Sequence, residues 1–173
     1  MKKLTTLIIL VLGLFATRAQ NINFTLLSSN QGEAVVRVDF GTYHIENVMV
    51  DGLMMQILHM TDAYPILKKG SPELLQTAFS LMVPEGSHPE TEIQDAQYAE
   101  IAHFALAPSK GKLYRNIDPE TVPYTKNTDY QSANYLMGSA AEVGEEYQLR
   151  DFHGVSIKVY PFDYNPSAQT LKV

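Results

Sequence analysis

Residues 33–60 read EAVVRVDFGTYHIENVMVDGLMMQILHM. In the first part, Ala34, Val36, Val38 and Phe40 fall on one face, with Glu33, Val35, Arg37 and Asp39 on the other. That is the two-residue period of a half-buried strand. Gly41-Thr42 interrupts the pattern, and the aromatic and β-branched run Tyr43–Val50 reads as a second strand closed by an Asp51-Gly52 turn signal. Leu53–Met60 reads as a third strand, although its Leu and Met content would also suit a short helix.

The same grammar continues downstream. Lys68-Lys69-Gly70-Ser71-Pro72 is a loop, and 76–83 is a buried strand with its exit at Pro84-Glu85-Gly86. Residues 93–106 contain neither proline nor glycine, and their Ala, Glu and Gln would permit a helix. We read a strand there because every neighbouring segment is strand-like. Beyond it come a strand at 147–150, a turn at His153-Gly154, and a strand at 155–162 in which Val155, Ile157 and Val159 alternate with Ser156, Lys158 and Tyr160. Asn165-Pro166-Ser167 turns the chain into 170–173, where the sequence stops in mid-strand like a piece of something longer. Short strands, regular turn signals and no amphipathic helix point to an all-β, antiparallel sandwich-like domain.

At the N-terminus, Lys2 and Lys3 precede an apolar run over 4–16, and Thr17-Arg18-Ala19 supplies the small residues of a cleavage site. The run is short for a membrane span, so we expect a signal peptide at 1–19 and one mature domain at 20–173. The destination would be the periplasm, then the cell surface or medium. No second long apolar run follows, so stable membrane insertion after cleavage is not expected. A net charge of −6 and 45% hydrophobic residues argue against nucleic acid as a partner. The absence of cysteine excludes disulfides, thiolate metal sites and a cysteine nucleophile.

Catalytic patterns are missing too. His44, His59, His88, His103 and His153 lack metal-site spacing, and there is no nucleophile elbow, phosphate loop or dinucleotide fingerprint. Glu85, Glu90, Glu92 and Asp95 around His88 read as a solvated loop. We expect no metal, no cofactor and no catalytic residue. One stretch stands apart: APSKGKLYRNIDPETVPY, 107–124. Pro108, Pro119 and Pro123 fix φ, remove donors and bias their predecessors toward extended backbone, giving an exposed, semi-rigid, extended loop. Arg115 in it reads either as a solvated surface charge or as the side chain a protease cleft accepts.

The segments LAPSKGKLYRNIDPETVPY (106–124), LRDFHGVSIKVYPFDYNPSAQTLKV (149–173) and KGSPELLQTAFSLMVPEG (69–86) resemble the N-terminal prosegment of gingipain-type cysteine peptidases, family C25. The A-P-S-K-G, R-x-x-D-P, L-R-D-x-x-G and Y-N-P elements stand in the family's order. Leu74-Leu75 departs from the family's usual Leu-Pro, which puts the strand entrance there in question. The resemblance implies an exported prosegment that assists folding of its peptidase and keeps it latent. It also implies a loop presenting a basic residue to the active-site cleft: Arg115, flanked by Tyr114 and Asn116, with Lys112 and Lys110 as alternative bases. The catalytic domain would lie beyond Val173, so the chain would not itself be a peptidase. A secreted β-sandwich binding or adhesion module is the alternative, but it calls for an aromatic platform and the tyrosines here are dispersed.

Overall fold

Strand β1 (Asn23–Ser29) pairs antiparallel with β2 (Ala34–Asp39), with an irregularity between Leu26 and Ser28. The computed structural model describes residues 22–30 and 32–173; the expected signal peptide lies outside them. β3 (Tyr43–Val50) and β4 (Leu53–Met60) form an unbroken antiparallel ladder from Tyr43–Met60 to Val50–Leu53. Asp51 and Gly52 close it with φ of 50° and 79°. Positive φ at both central residues matches the right-handed twist of the strands, which is why Asp-Gly was legible as a hairpin turn. β4 is a strand, not a helix.

The larger sheet runs β5 (Tyr64–Pro65), β6 (Leu75–Met82), β9 (Phe152–Val159), β8 (Ala141–Leu149), all antiparallel. The entrance to β6 is intact despite Leu74-Leu75: Leu75 pairs with Pro65, and both leucines are buried. A fourth sheet joins β10 (Asp163–Asn165), β11 (Thr170–Lys172) and β7 (Glu100–Ile101). Val173 extends that pairing through two backbone bonds with Ala99.

Among the strands, sequence reading and structure part most plainly over 93–106 and at His153-Gly154. Residues 93–106 hold only the two-residue β7, and the segment from Pro84 to Ala99 is irregular and mostly exposed. Its polar side chains have no buried face to alternate against, so propensity alone had nothing to decide. His153-Gly154 is not a turn either: both lie inside β9, and the turn falls at Arg150-Asp151. Gly154 is there because the ring of Tyr147 lies across it; a Cβ would come within 2.4 Å of the ring. A strand-interior glycine can mark close approach as well as a turn.

Three apolar centres hold the layers together. Val155, Ile157 and Val159 face Phe24 and Val38 of the first hairpin along with Phe79 and Leu81, so the β1–β2 hairpin covers the inner face of the larger sheet. The rings of Phe24 and Phe79 lie 4.9 Å apart. A second centre collects Leu58, Met60, Leu74, Phe104, Leu106, Phe162, Tyr164 and Leu171, between the β3–β4 hairpin and the sheet of β7, β10 and β11. The third is small, Val50 and Met55 against Ala107. This is the expected sandwich-like, antiparallel all-β domain. Among the described residues no helix is long and apolar enough to cross a membrane.

Candidate functional site

The first part of the stretch 107–124 is core. Leu106, Ala107, Pro108 and Ser109 are almost wholly buried. They form a rail between β4 and the 70–73 segment: Gln56 bonds to Ala105 and Ala107 on one side, while Glu73 and Ser71 bond to Ala107 and Ser109 on the other. The sequence reading of an exposed, extended loop over 107–124 therefore needs correction. Pro108 lacks an amide, but on this rail its neighbours Ala107 and Ser109 supply the donors and Pro108 loses nothing. Two tyrosines hold the rail from below. The Tyr164 hydroxyl donates to the Phe104 carbonyl at 2.8 Å and the Tyr130 hydroxyl to the Leu106 carbonyl at 2.7 Å. Burial raises the pKa of both phenols.

The exposed part begins after Gly111. That glycine takes φ +78° and packs so closely on Lys69 that a Cβ would sit 2.8 Å from the lysine Cβ. Beyond it the chain rises to a turn in which the Ile117 amide donates to the Tyr114 carbonyl at 3.0 Å. Arg115 and Asn116 are the two central residues of that turn, at the apex of the loop and exposed, and Tyr114 beside them is 77% exposed. The backbone at Arg115 is thus a turn, where proline content alone had implied an extended peptide. The prolines stiffen the limbs, and Asp118 then starts a 3-10 turn, Pro119–Thr121, accepting the Glu120 amide at 3.0 Å.

Both feet of the loop rest on one residue. The Gly70 amide donates to the Ser109 carbonyl, and the Gly70 carbonyl accepts the Asn127 amide, each at 2.9 Å. Around this point the Asn127 side-chain amide reaches Ser71 Oγ at 2.9 Å, Ser71 donates to Asp129, and Lys68 Nζ lies 2.6 Å from the same carboxylate. Hydrogen bonds from Lys68 and Ser71 hold Asp129 below the ordinary carboxylate range.

The five residues singled out from sequence do not act as one group. Arg115, Tyr114, Asn116 and Lys112 are exposed on the loop. Lys110 is turned inward: its ammonium donates to the Pro119 carbonyl at 2.7 Å and stands 4.3 Å from the centroid of the Tyr124 ring. Beside it lies Glu73, whose carboxyl burial pushes above its usual range against the opposing pull of Ser109, His59 and Lys110. The rings of His44 and His59 stack 4.7 Å apart across β3 and β4, with His59 Nε2 2.8 Å from Glu46. Sequence reasoning missed the seat made by Gly70, Asn127, Tyr130 and Tyr164. Only the resemblance touched any of it, through Gly70 in the 69–86 segment and Tyr164 in the Y-N-P element.

Comparison with known proteins places the fold in context. The family model for the C25 propeptide matches residues 15–173. Gingipain R1 of Porphyromonas gingivalis is 30% identical over 156 residues, 89% of this chain and 16% of that protein. Gingipain R2 of the same species is 28% identical over 158 residues, 91% of this chain and 22% of that protein. The chain therefore spans less than a quarter of the length of these relatives. Among solved structures, the complex of P. gingivalis RgpB pro- and mature domains superposes with a TM-score of 0.81 at 27% identity, covering 87% of this chain and 79% of that one. A structure describing zymogenic latency of gingipain K, also from P. gingivalis, shares the fold with a TM-score of 0.68 at 19% identity, over 90% and 89% of the two chains. The chain belongs to the C25 propeptide family.

Proposed function

We propose that this C25 propeptide is exported with a gingipain-like cysteine peptidase as part of one precursor, assists the folding of that peptidase, and keeps it latent by laying the 112–118 loop into its active-site cleft. Arg115 is the residue that enters the primary specificity pocket. The observation that carries this reading is its position: Arg115 is a central residue of the apical turn, exposed, on a loop whose two feet are tied to Gly70. A planar guanidinium meets a pocket carboxylate with two parallel charge-assisted bonds, which an ammonium imitates only in part. A loop already shaped in the free domain loses little conformational freedom on binding.

The test is inhibition of the precursor's own peptidase domain by this chain added in trans. Wild type should block it and Arg115→Ala should not do so at the same concentration. Equal inhibition by the two would make Arg115 an ordinary solvated charge. Failure of the wild-type chain to inhibit at all would favour the secreted binding-module alternative.

A further inference from the structure

We propose that Lys110 is a positioning residue: its ammonium clasps the mouth of the loop and fixes the direction in which Arg115 points. This inference rests on the reading of Arg115 as the inserted residue. From sequence, Lys110 had looked like a second base available to a pocket. The structure gives its charge two other occupations, the Pro119 carbonyl at 2.7 Å and the face of the Tyr124 ring at 4.3 Å.

What makes the contact a clasp is where its two ends sit. Lys110 is anchored on the outgoing limb, between Ser109, whose amide and carbonyl are bonded to Ser71 and Gly70, and Gly111, which packs on Lys69. Pro119 opens the returning limb, in a 3-10 turn capped by Asp118. The Lys110–Pro119 bond therefore closes a small ring of chain around the turn at Tyr114–Ile117, on the loop side of the foot at Ser109. Without it the limbs between Gly111 and Asp118 have one bond across them, from Ile117 to Tyr114, and that bond shapes the apex without orienting it. Fixing a side chain and loop before binding moves the ordering cost from association to folding. Tyr124 adds a cation–π attraction to the ammonium over its face, which is lost with the charge.

Lys110→Met, which keeps the stem and removes the charge, should weaken inhibition of the precursor's peptidase domain about tenfold, whereas Lys110→Arg, still able to donate to Pro119, should stay within about threefold of wild type. Two further readouts separate positioning from direct contact. Amide hydrogen exchange at 112–118 should speed up in Lys110→Met in the free chain, with the melting midpoint little changed. In an Arg115→Ala background, Lys110→Met should cause no further weakening, because there is nothing left to aim. Unchanged inhibition by Lys110→Met, or full additivity with Arg115→Ala, overturns the clasp. If Arg115→Ala alone has no effect, the reading of Arg115 fails, and the exchange measurement still decides whether Lys110 orders the loop.

Discussion

The carbonyl of Gly70 accepts the amide of Asn127 at 2.9 Å while the Gly70 amide is given to Ser109, so one residue joins the start and the end of the exposed loop. Gly70 holds φ +81°, and a Cβ added there would lie 3.1 Å from Asn127 Cβ and 3.3 Å from the Thr125 carbonyl oxygen. Gly70→Ala should lower unfolding free energy by about 2 kcal/mol, from strained backbone plus displaced Asn127. Urea denaturation measures it. An unaltered midpoint would show that the feet reposition freely.

Arg115→Ala should weaken inhibition by about 2 kcal/mol or more, as a desolvated central side chain does, while Lys112→Ala should change it by under ~1 kcal/mol, as a rim charge does. Because Arg115 is exposed on the free domain, neither substitution should move the folding midpoint beyond about 0.5 kcal/mol. Inhibition constants and melts on the same preparations check both halves.

Tyr164→Phe and Tyr130→Phe should each lower stability by about 1–2 kcal/mol. Each deletes the hydroxyl that serves a rail carbonyl, Phe104 or Leu106, in surroundings with little water to replace it. Thermal unfolding of the two single variants measures this; wild-type midpoints would mean that solvent reaches the rail.

Two carboxylates should give opposite pH signatures. Asp129 is held below its ordinary 3.8 by Lys68 and Ser71, so it contributes stability above that pH which disappears as pH falls through the folded value. Glu73 is raised above its ordinary 4.5 by burial, so its favourable contribution exists below that pH and is lost as pH rises through the folded value. At pH 7, Asp129→Asn should therefore destabilise and flatten the acid limb, whereas Glu73→Gln should stabilise. Stability against pH for both variants decides the signs.

Where sequence reading succeeded, one local rule sufficed. Alternation and the Asp51-Gly52 turn specify β3 and β4 because strand, turn and partner lie within residues 43–60. The register of Val155, Ile157 and Val159 was legible for the same reason, one buried face against one half-buried face. The rail was not. Its residues bond to Gln56, Ser71 and Glu73, far away in sequence, and three prolines spread over 107–124 look alike whether a residue is buried like Pro108 or exposed like Pro119. The role proposed for Arg115 rests on the resemblance, since an exposed arginine on a loop carries no local signature and its chemistry alone leaves a solvated charge and a cleft-bound side chain both open. The inward turn of Lys110 depends on where Pro119 and Tyr124 come to lie, which no pattern of spacing encodes.

The seat of the loop also sets an order of events during folding. Tyr164 bonds to Phe104 across 60 residues of chain, and Ser71 to Asp129 across 58, whereas the β3–β4 hairpin closes through a two-residue turn. Long closures carry the larger entropic cost and form slowly, so the hairpin should form early and the loop should reach its seat among the last steps. A chain halted part-way would own its strands and still hold Arg115 on an unanchored tether. Competence of the loop thus reports completion of the whole domain, much as a keystone reports a finished arch.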